Sequence, residues 1–270
     1  MSRLADVFGK LKHARRTALV TYITAGDPDK NGTVPLMRTL VKAGADVLEL
    51  GVPFSDPTAD GPVIQQACER ALKHGTTLSD VLAMVKEFRT SDAHTPIVLM
   101  GYLNPMEAYG IEAFAGAAGG AGVDGVLTVD MPPEEAEPLA GMLRAKGLDP
   151  VFLLAPTSGS ARLKRICETA SGFVYYVSLK GVTGAANLDV QDVRQRLAAV
   201  RRETNLPVGV GFGIRDAQTA AQLAGVADAV VVGSAIVSRI AEHQSQHREM
   251  LAQVSGFVQG LRQAMDAARV

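Results

Sequence analysis

The sequence predicts an α/β chain folded as a closed (β/α)8 barrel of the TIM type, with extra N-terminal and C-terminal helices. Three observations lead there. One phrase recurs along the chain: a short β-branched or apolar run, then Gly, Pro or Asp, then a longer Ala- and Leu-rich stretch with helical spacing. That alternation is the pattern of βα units on a parallel sheet. Eight such runs occur in 270 residues, which suits a closed barrel, whereas an open doubly wound sheet uses fewer strands and reverses their order. Nothing between the units resembles a linker, because Pro and Gly stand at element ends and no charge block or low-complexity tract intervenes. Residues 1–270 are therefore expected to form one domain.

The first helix is expected over Arg3–Lys12, with Leu4, Val7, Phe8 and Leu11 on one face that would cover the N-terminal end of the barrel. The strands are expected at Ala18–Thr24, Val47–Leu50, Ile97–Tyr102, Gly125–Val129, Val151–Leu154, Phe173–Ser178, Val208–Phe212 and Ala229–Val232. After the second strand a helix should start near Pro62, since Asp-Gly-Pro is good helix-entry chemistry. Gly116 to Gly122, reading GAAGGAG, fits a helix end. A short helix over Ala235–Ile240, opened by Ser234, follows the eighth strand, and Gln246–Ala268 supplies the last helix.

Composition excludes several classes. The chain is 47% hydrophobic and 20% charged with a formal net charge of −1, so no basic field awaits a nucleic acid. Cys68 and Cys167 stand far apart in unrelated contexts and build neither a disulfide framework nor a CxxC site, which favours a reducing compartment. No apolar run approaches the ~20 residues that span a bilayer. The opening MSRLADVFGKLKHARR lacks the apolar stretch and cleavage site of a signal peptide. A cytoplasmic location is expected.

Chemistry concentrates after the second strand, in DVLELGVPFSDPTADGP. Side chains alternate along a strand, so Leu48 and Leu50 share one face while Val47, Glu49 and Gly51 share the other. Paired leucines suit the helix-packed outside, which points Glu49 into the barrel near its C-terminal end, where barrels of this kind carry their chemistry. A carboxylate among apolar groups loses hydration, and its pKa should rise towards values useful in acid–base work near neutral pH. A structural role, pairing with a cation or capping a loop, stands beside that reading. In the following loop Asp56 reads as a turn residue, while Asp60 is balanced between helix cap and functional acid.

Glycines crowd the ends of the last three strands: Gly181 and Gly184, Gly211 and Gly213, and Gly233 followed by Ser234. Backbone N–H groups exposed at glycines and at a helix N-terminus bind phosphate, and many barrels place that site after strands seven and eight. Their joint placement, without a Lys or Arg cluster, favours a single phosphate monoester, with no metal required. Lys180 is out of phase with Tyr175 and so is not a Schiff-base lysine in the pocket. His243 and His247 have the i, i+4 spacing of a metal pair, but no third ligand stands near and a solvated helix face is expected. Ser158 and Ser160 read as turn residues and a helix cap, having no adjacent histidine.

These segments resemble, from end to end, those of tryptophan synthase α subunits. LELGVPFSDPTADGPVIQQA matches that family's signature, and TYITAGDP, VLMGYLNPM, VDMPPEE, LLAPTS, GVTGA, GFGI and VGSAIV follow in the family's order. The resemblance implies retro-aldol cleavage of indole-3-glycerol phosphate to indole and glyceraldehyde 3-phosphate. It implies Glu49 as acid–base catalyst and Asp60 facing the indole ring nitrogen. Tyr22, Met100, Tyr102, Val129 and Phe212 would line the indole pocket, and Tyr175 would lie beside the substrate. Gly184, Gly213, Gly233 and Ser234 would hold the phosphate, and Thr183 would meet Asp60 when the sixth loop closes. By the same resemblance the chain needs no cofactor of its own. Indole would pass to a tryptophan synthase β subunit, a pyridoxal-phosphate enzyme, within an α2β2 heterotetramer. Contacts to that partner are expected around Pro53 to Thr58, Asn104 to Ala108 and Asp130 to Pro133.

The chain departs from the family's common pattern at Leu179-Lys180, where Arg and a small residue are usual, at Tyr22 for Phe and at Thr58 for Leu; none removes a catalytic group. Two other functions compete. A sugar-phosphate isomerase would use the same phosphate end, but the apolar Tyr22, Met100, Tyr102, Val129 and Phe212 suit an indole better than a polyol. A non-catalytic sensor of a phosphorylated effector would not need both Glu49 and Asp60.

Overall fold

The computed structural model describes residues 2–177, 190–211 and 213–268. Eight parallel strands close on themselves in chain order: β1 Ala18–Thr24, β2 Val47–Gly51, β3 Ile97–Gly101, β4 Gly125–Thr128, β5 Asp149–Leu154, β6 Val174–Val177, β7 Val208–Gly211 and β8 Ala229–Val232. The expected barrel is present, and its strands lie within a residue or two of their expected positions. Differences sit at the ends: β2 runs on to Gly51, β3 stops at Gly101, and β5 starts at Asp149.

Helix α1 (Arg3–His13) precedes β1, and α2 (Thr33–Lys42) joins β1 to β2. Two helices, α3 (Pro62–Lys73) and α4 (Leu78–Arg89), follow β2, and two more, α5 (Leu103–Tyr109) and α6 (Ile111–Ala121), follow β3. Then come α7 (Glu137–Ala145), α8 (Ser160–Thr169), α9 (Val190–Glu203), α10 (Ala217–Ala224) and α11 (Ser234–Glu242), and α12 (His247–Ala267) closes the chain. Gly122 ends α6 at a φ of 92°, the left-handed cap expected there. Gly116, Gly119 and Gly120 lie inside that helix instead.

Strand alternation divides the core in two. Val20, Val47, Val98, Leu127, Val151 and Val231 fill the barrel, while Leu19, Leu48, Leu50, Leu99, Val126 and Val230 face the helices. Leu4, Phe8 and Leu11 of α1 join the interior cluster, and the Phe8 ring lies 5.6 Å from that of Phe173. Helix α1 therefore stops the N-terminal end of the barrel, as its apolar face predicts.

That end is also stitched by a repeat that is plain once the strands are paired. Ala-Gly-Ala-Asp before β2, Ala-Gly-Val-Asp before β4 and Ala-Gly-Val-Ala-Asp before β8 each end on an aspartate that accepts a backbone N–H across the sheet. Asp46 takes Leu19 N–H at 2.8 Å, Asp124 takes Ile97 N–H at 2.8 Å and Asp228 takes Val208 N–H at 2.9 Å. Each is also paired with arginine: Arg16 and Arg262 on Asp46, Arg3 and Arg89 on Asp124, and Arg201 on Asp228. Charges placed on this face serve stability. The opposite face is left for chemistry.

Candidate active site

Inward positions of β2 are Val47, Glu49 and Gly51, as strand parity requires, so a carboxyl group enters the barrel near its C-terminal mouth. Glu49 is only 2% exposed, and its Oε1 has no hydrogen-bond partner among the described residues. Loss of hydration, helped by the charge of Asp60, pushes its pKa up to about 8. The carboxyl group thus keeps its proton at neutral pH.

Two tyrosines wall this carboxyl by one rule. Tyr22 pairs in register with Glu49, and its ring leans over Gly51, two residues further on; a Cβ at Gly51 would lie 2.2 Å from the Tyr22 hydroxyl. Tyr175 pairs with Gly209 and leans over Gly211, where a Cβ would again lie 2.2 Å from the phenol oxygen. Both glycines are seats for aromatic rings. Gly211, grouped by sequence with the phosphate end, has this different role. The Tyr22 hydroxyl pairs with Thr24 Oγ1 at 3.1 Å. Burial holds both phenols well above their ordinary pKa.

Asp60 ends the turn that leads into α3. Of its two balanced readings, the cap fails: Gly61 is the N-cap of α3, Pro62 stands in its first turn, and no side chain caps it. Instead Asp60 Oδ2 accepts the Tyr102 hydroxyl at 2.8 Å, while Tyr102 accepts Ala59 N–H at 2.9 Å. Phe54 lies against Tyr102 with ring centroids 5.1 Å apart. Burial raises the Asp60 pKa, and the Tyr102 hydrogen bond opposes the rise. Among the described residues Glu49 Oε1 thus has no donor, whereas Asp60 Oδ2 has one.

Met100, half-buried at the end of β3, touches both the barrel interior and a small cluster of Tyr22, Ile64, Ala67, Cys68 and Val237. Val129, just past β4, is half-buried at the edge of the interior cluster, with its N–H on Gly101 O at 3.0 Å. Gly213 has a φ of 75° beyond β7. Gly233 is the N-cap of α11 and Ser234 its first residue, as the sequence implies. No side chain caps α11, and the first-turn N–H groups of such a helix are the ones an anion uses. A Cβ at Gly233 would sit 3.3 Å from Tyr22 Cβ, so this turn packs directly behind the aromatic wall. Thr183, Gly184, Phe212 and the pair Leu179-Lys180 lie outside the described residues.

Two expectations about bystanders are corrected. Ser160 is the first residue of α8 and Gly159 its N-cap, whereas Ser158 does serve the turn by accepting Ala155 N–H. His243 caps the end of α11 and His247 opens α12, so the two do not share a helix face. Among the described residues no group of three or more His, Cys, Asp or Glu is placed to hold a metal, and no helix is long and apolar enough to cross a membrane. Sequence reasoning missed the roles of Gly51 and Gly211 as seats for the tyrosine rings. For the glycines the signal was their inward parity, which acquires meaning only once the neighbouring strand is in register.

The tryptophan synthase alpha chain family model matches residues 8–266. The tryptophan synthase alpha chain of Thioalkalivibrio sulfidiphilus is 64% identical over 266 residues, covering 98% of this chain and all of that one. That of Nitrosococcus oceani is 61% identical over 267 residues, covering 99% and 98%. Among solved structures, tryptophan synthase subunit alpha from Legionella pneumophila aligns with a TM-score of 0.93 at 44% identity, covering 99% of each chain. A chain of tryptophan synthase from M. tuberculosis, in an aminoacrylate-bound form, aligns with a TM-score of 0.87 at 36% identity, covering 98% of this chain and all of that one. Likeness of this order, running end to end in both sequence and fold, makes the chain a member of the tryptophan synthase alpha chain family.

Proposed function

We propose that the chain cleaves indole-3-glycerol phosphate to indole and glyceraldehyde 3-phosphate by a retro-aldol step. The observation that carries this reading is Glu49: a buried carboxyl without a hydrogen-bond partner for Oε1, aimed into an aromatic-walled barrel mouth and holding its proton to about pH 8. Breaking the bond from indole C3 to the glycerol carbon needs a proton delivered to C3 and one taken from the adjacent hydroxyl. Glu49 gives its proton to C3, and the resulting carboxylate then takes the hydroxyl proton as the bond electrons return to the ring and the carbonyl forms. It ends protonated, as it began. Protonation at C3 leaves positive charge at the ring nitrogen, which the Asp60 carboxylate stabilises across the N–H.

Tyr22, Met100, Tyr102, Val129, Tyr175 and Phe212 surround the ring in this reading. Gly184, Gly213, Gly233 and Ser234 hold the phosphate, and Thr183 meets Asp60 as the sixth loop covers the site and excludes water. Residues 1–270 act as one cytoplasmic catalytic domain within α2β2 tryptophan synthase. Pyridoxal phosphate belongs to the β subunit alone, and no step in this chain uses it. Membership of the alpha chain family supports the partner; the expected contact segments at 53–58, 104–108 and 130–133 follow strands β2, β3 and β4, at the mouth of the barrel.

Indole release from indole-3-glycerol phosphate by the purified chain, with and without a β subunit, tests the reaction. No indole under either condition refutes it. Glu49→Gln should abolish turnover while glyceraldehyde 3-phosphate still binds; retained turnover removes Glu49 from its role.

A further inference from the structure

We propose that Gln65 is a positioning residue for the reaction, its side-chain amide fixing the turn that presents Asp60. Residues Pro57 to Asp60 form a turn closed by Asp60 N–H on Pro57 O at 3.1 Å. Gln65 Nε2 donates to Asp60 O at 2.9 Å and reaches Pro57 O at 3.4 Å. One planar amide therefore grips both carbonyls that bracket the turn. Its own backbone is set by α3, where Ile64 N–H and Gln65 N–H both reach Gly61 O at 3.0 Å. On the other side of the turn Tyr102 takes Ala59 N–H and donates to Asp60 Oδ2.

Packing cannot hold this turn. Thr58, Ala59 and Gly61 are exposed, and Pro57 and Asp60 are only partly buried, so no apolar core grips it. Hydrogen bonds decide where the Asp60 carboxylate stands. Geometry also dictates the residue type, since two donors in one plane must meet two carbonyl oxygens. An ionised Glu has no proton to give, and a Lys would set a cation beside Asp60 and cancel the charge the reaction uses. The inference rests on the proposed role of Asp60 at the indole nitrogen. That role belongs to the transition state, so releasing the turn should lower kcat and leave KM nearly alone.

The test uses Gln65→Met, which keeps length and helix preference but removes both donors, assayed with indole-3-glycerol phosphate in the complex with a β subunit. The expected result is a kcat lower by ~10- to 100-fold, the scale of misplacing a group by about an ångström, with KM within ~3-fold. The second arm is a cycle with Asp60→Asn: in that background Gln65→Met should cost less than ~2-fold further, because the group it positions is already lost. A purely structural Gln65 would instead show the same loss in both backgrounds, which overturns the proposal, as does a Gln65→Met kcat within ~2-fold of the parent. Should Gln65→Met fail to fold, Gln65→Glu carries the same cycle. Full activity in Asp60→Asn would overturn the Asp60 reading and this inference together; an impaired Asp60→Asn beside an unimpaired Gln65→Met overturns this inference alone.

Discussion

The stability of Glu49→Gln relative to the parent is expected to rise with pH. The folded chain holds the Glu49 proton to about pH 8, whereas a free glutamate releases it near 4.5. Between those values the unfolded chain has lost the proton and the folded chain retains it, so Glu49 makes stability fall as pH rises, at ~1.4 kcal/mol per pH unit. Above the upper value the loss is complete, with a ceiling on the order of 5 kcal/mol; water entry and local relaxation reduce it to roughly half. Glutamine stays neutral throughout. Its buried amide has its own cost of ~1–3 kcal/mol, but that cost does not vary with pH and only offsets the curve. Urea unfolding of parent and variant at about pH 5, 7 and 9, at one ionic strength, gives the difference directly, since other titrating groups cancel. A difference that is flat across this range would mean that Glu49 ionises normally, and the acid that donates to C3 would have to be sought elsewhere.

Turnover should follow the same group. The kcat/KM profile is expected to fall on its alkaline side with a midpoint near pH 8, and Asp60→Asn should move that limb towards acid, because the Asp60 charge helps to hold the proton on Glu49; a limb that stays in place assigns it to another residue. Gly211→Ala and Gly51→Ala should each cost ~1–3 kcal/mol in urea unfolding by driving a tyrosine ring from its seat. Gly211→Ala with Tyr175→Ala should recover part of that stability without recovering activity. Arg70→Ala should cost ~3–5 kcal/mol, because it strands the fully buried Asp27, whose two carboxylate oxygens take Arg70 Nε at 2.7 Å and Nη2 at 3.0 Å; a loss below ~1 kcal/mol in thermal or urea unfolding would show the pair to be dispensable.

What the sequence made legible follows from the range of its signals. Eight βα units, the plug at Leu4, Phe8 and Leu11 and the inward turn of Glu49 all rest on periodicities of 2 and 3.6 within single elements, and those periods are local. Asp60 was ambiguous because Asp-Gly-Pro writes a helix entry equally well whether the aspartate caps or not; only Tyr102, 42 residues away in sequence, settles its hydrogen bonding. The glycine seats under Tyr22 and Tyr175 need the register between neighbouring strands, which no single strand carries. The aspartates that stitch the N-terminal face were within reach, since Ala-Gly-Ala-Asp and Ala-Gly-Val-Asp recur in front of strands, but each reads alone as a loop end. Thr183 and Phe212 rest on family likeness alone.

Two carboxyl groups share one mouth; burial raises the pKa of both, and at Asp60 a hydrogen bond opposes the rise. Among the described residues Glu49 meets no donor at Oε1, and it keeps its proton to about pH 8; Asp60 receives the Tyr102 hydroxyl, which opposes the effect of burial. For the proposed reaction a difference of that kind suits Glu49 as the acid and Asp60 as the anion, and it makes Tyr102 a control on both. Tyr102→Phe keeps the ring against Phe54 but removes the hydroxyl, so the pKa of Asp60 should rise. With less charge on Asp60 the pKa of Glu49 should then fall, and the alkaline limb of kcat/KM should move towards acid while kcat drops. The two shifts have opposite signs from one deleted oxygen, and carboxyl titration by NMR in the free chain reads both. Equal shifts in one direction would show that Tyr102 acts on the pair only through burial.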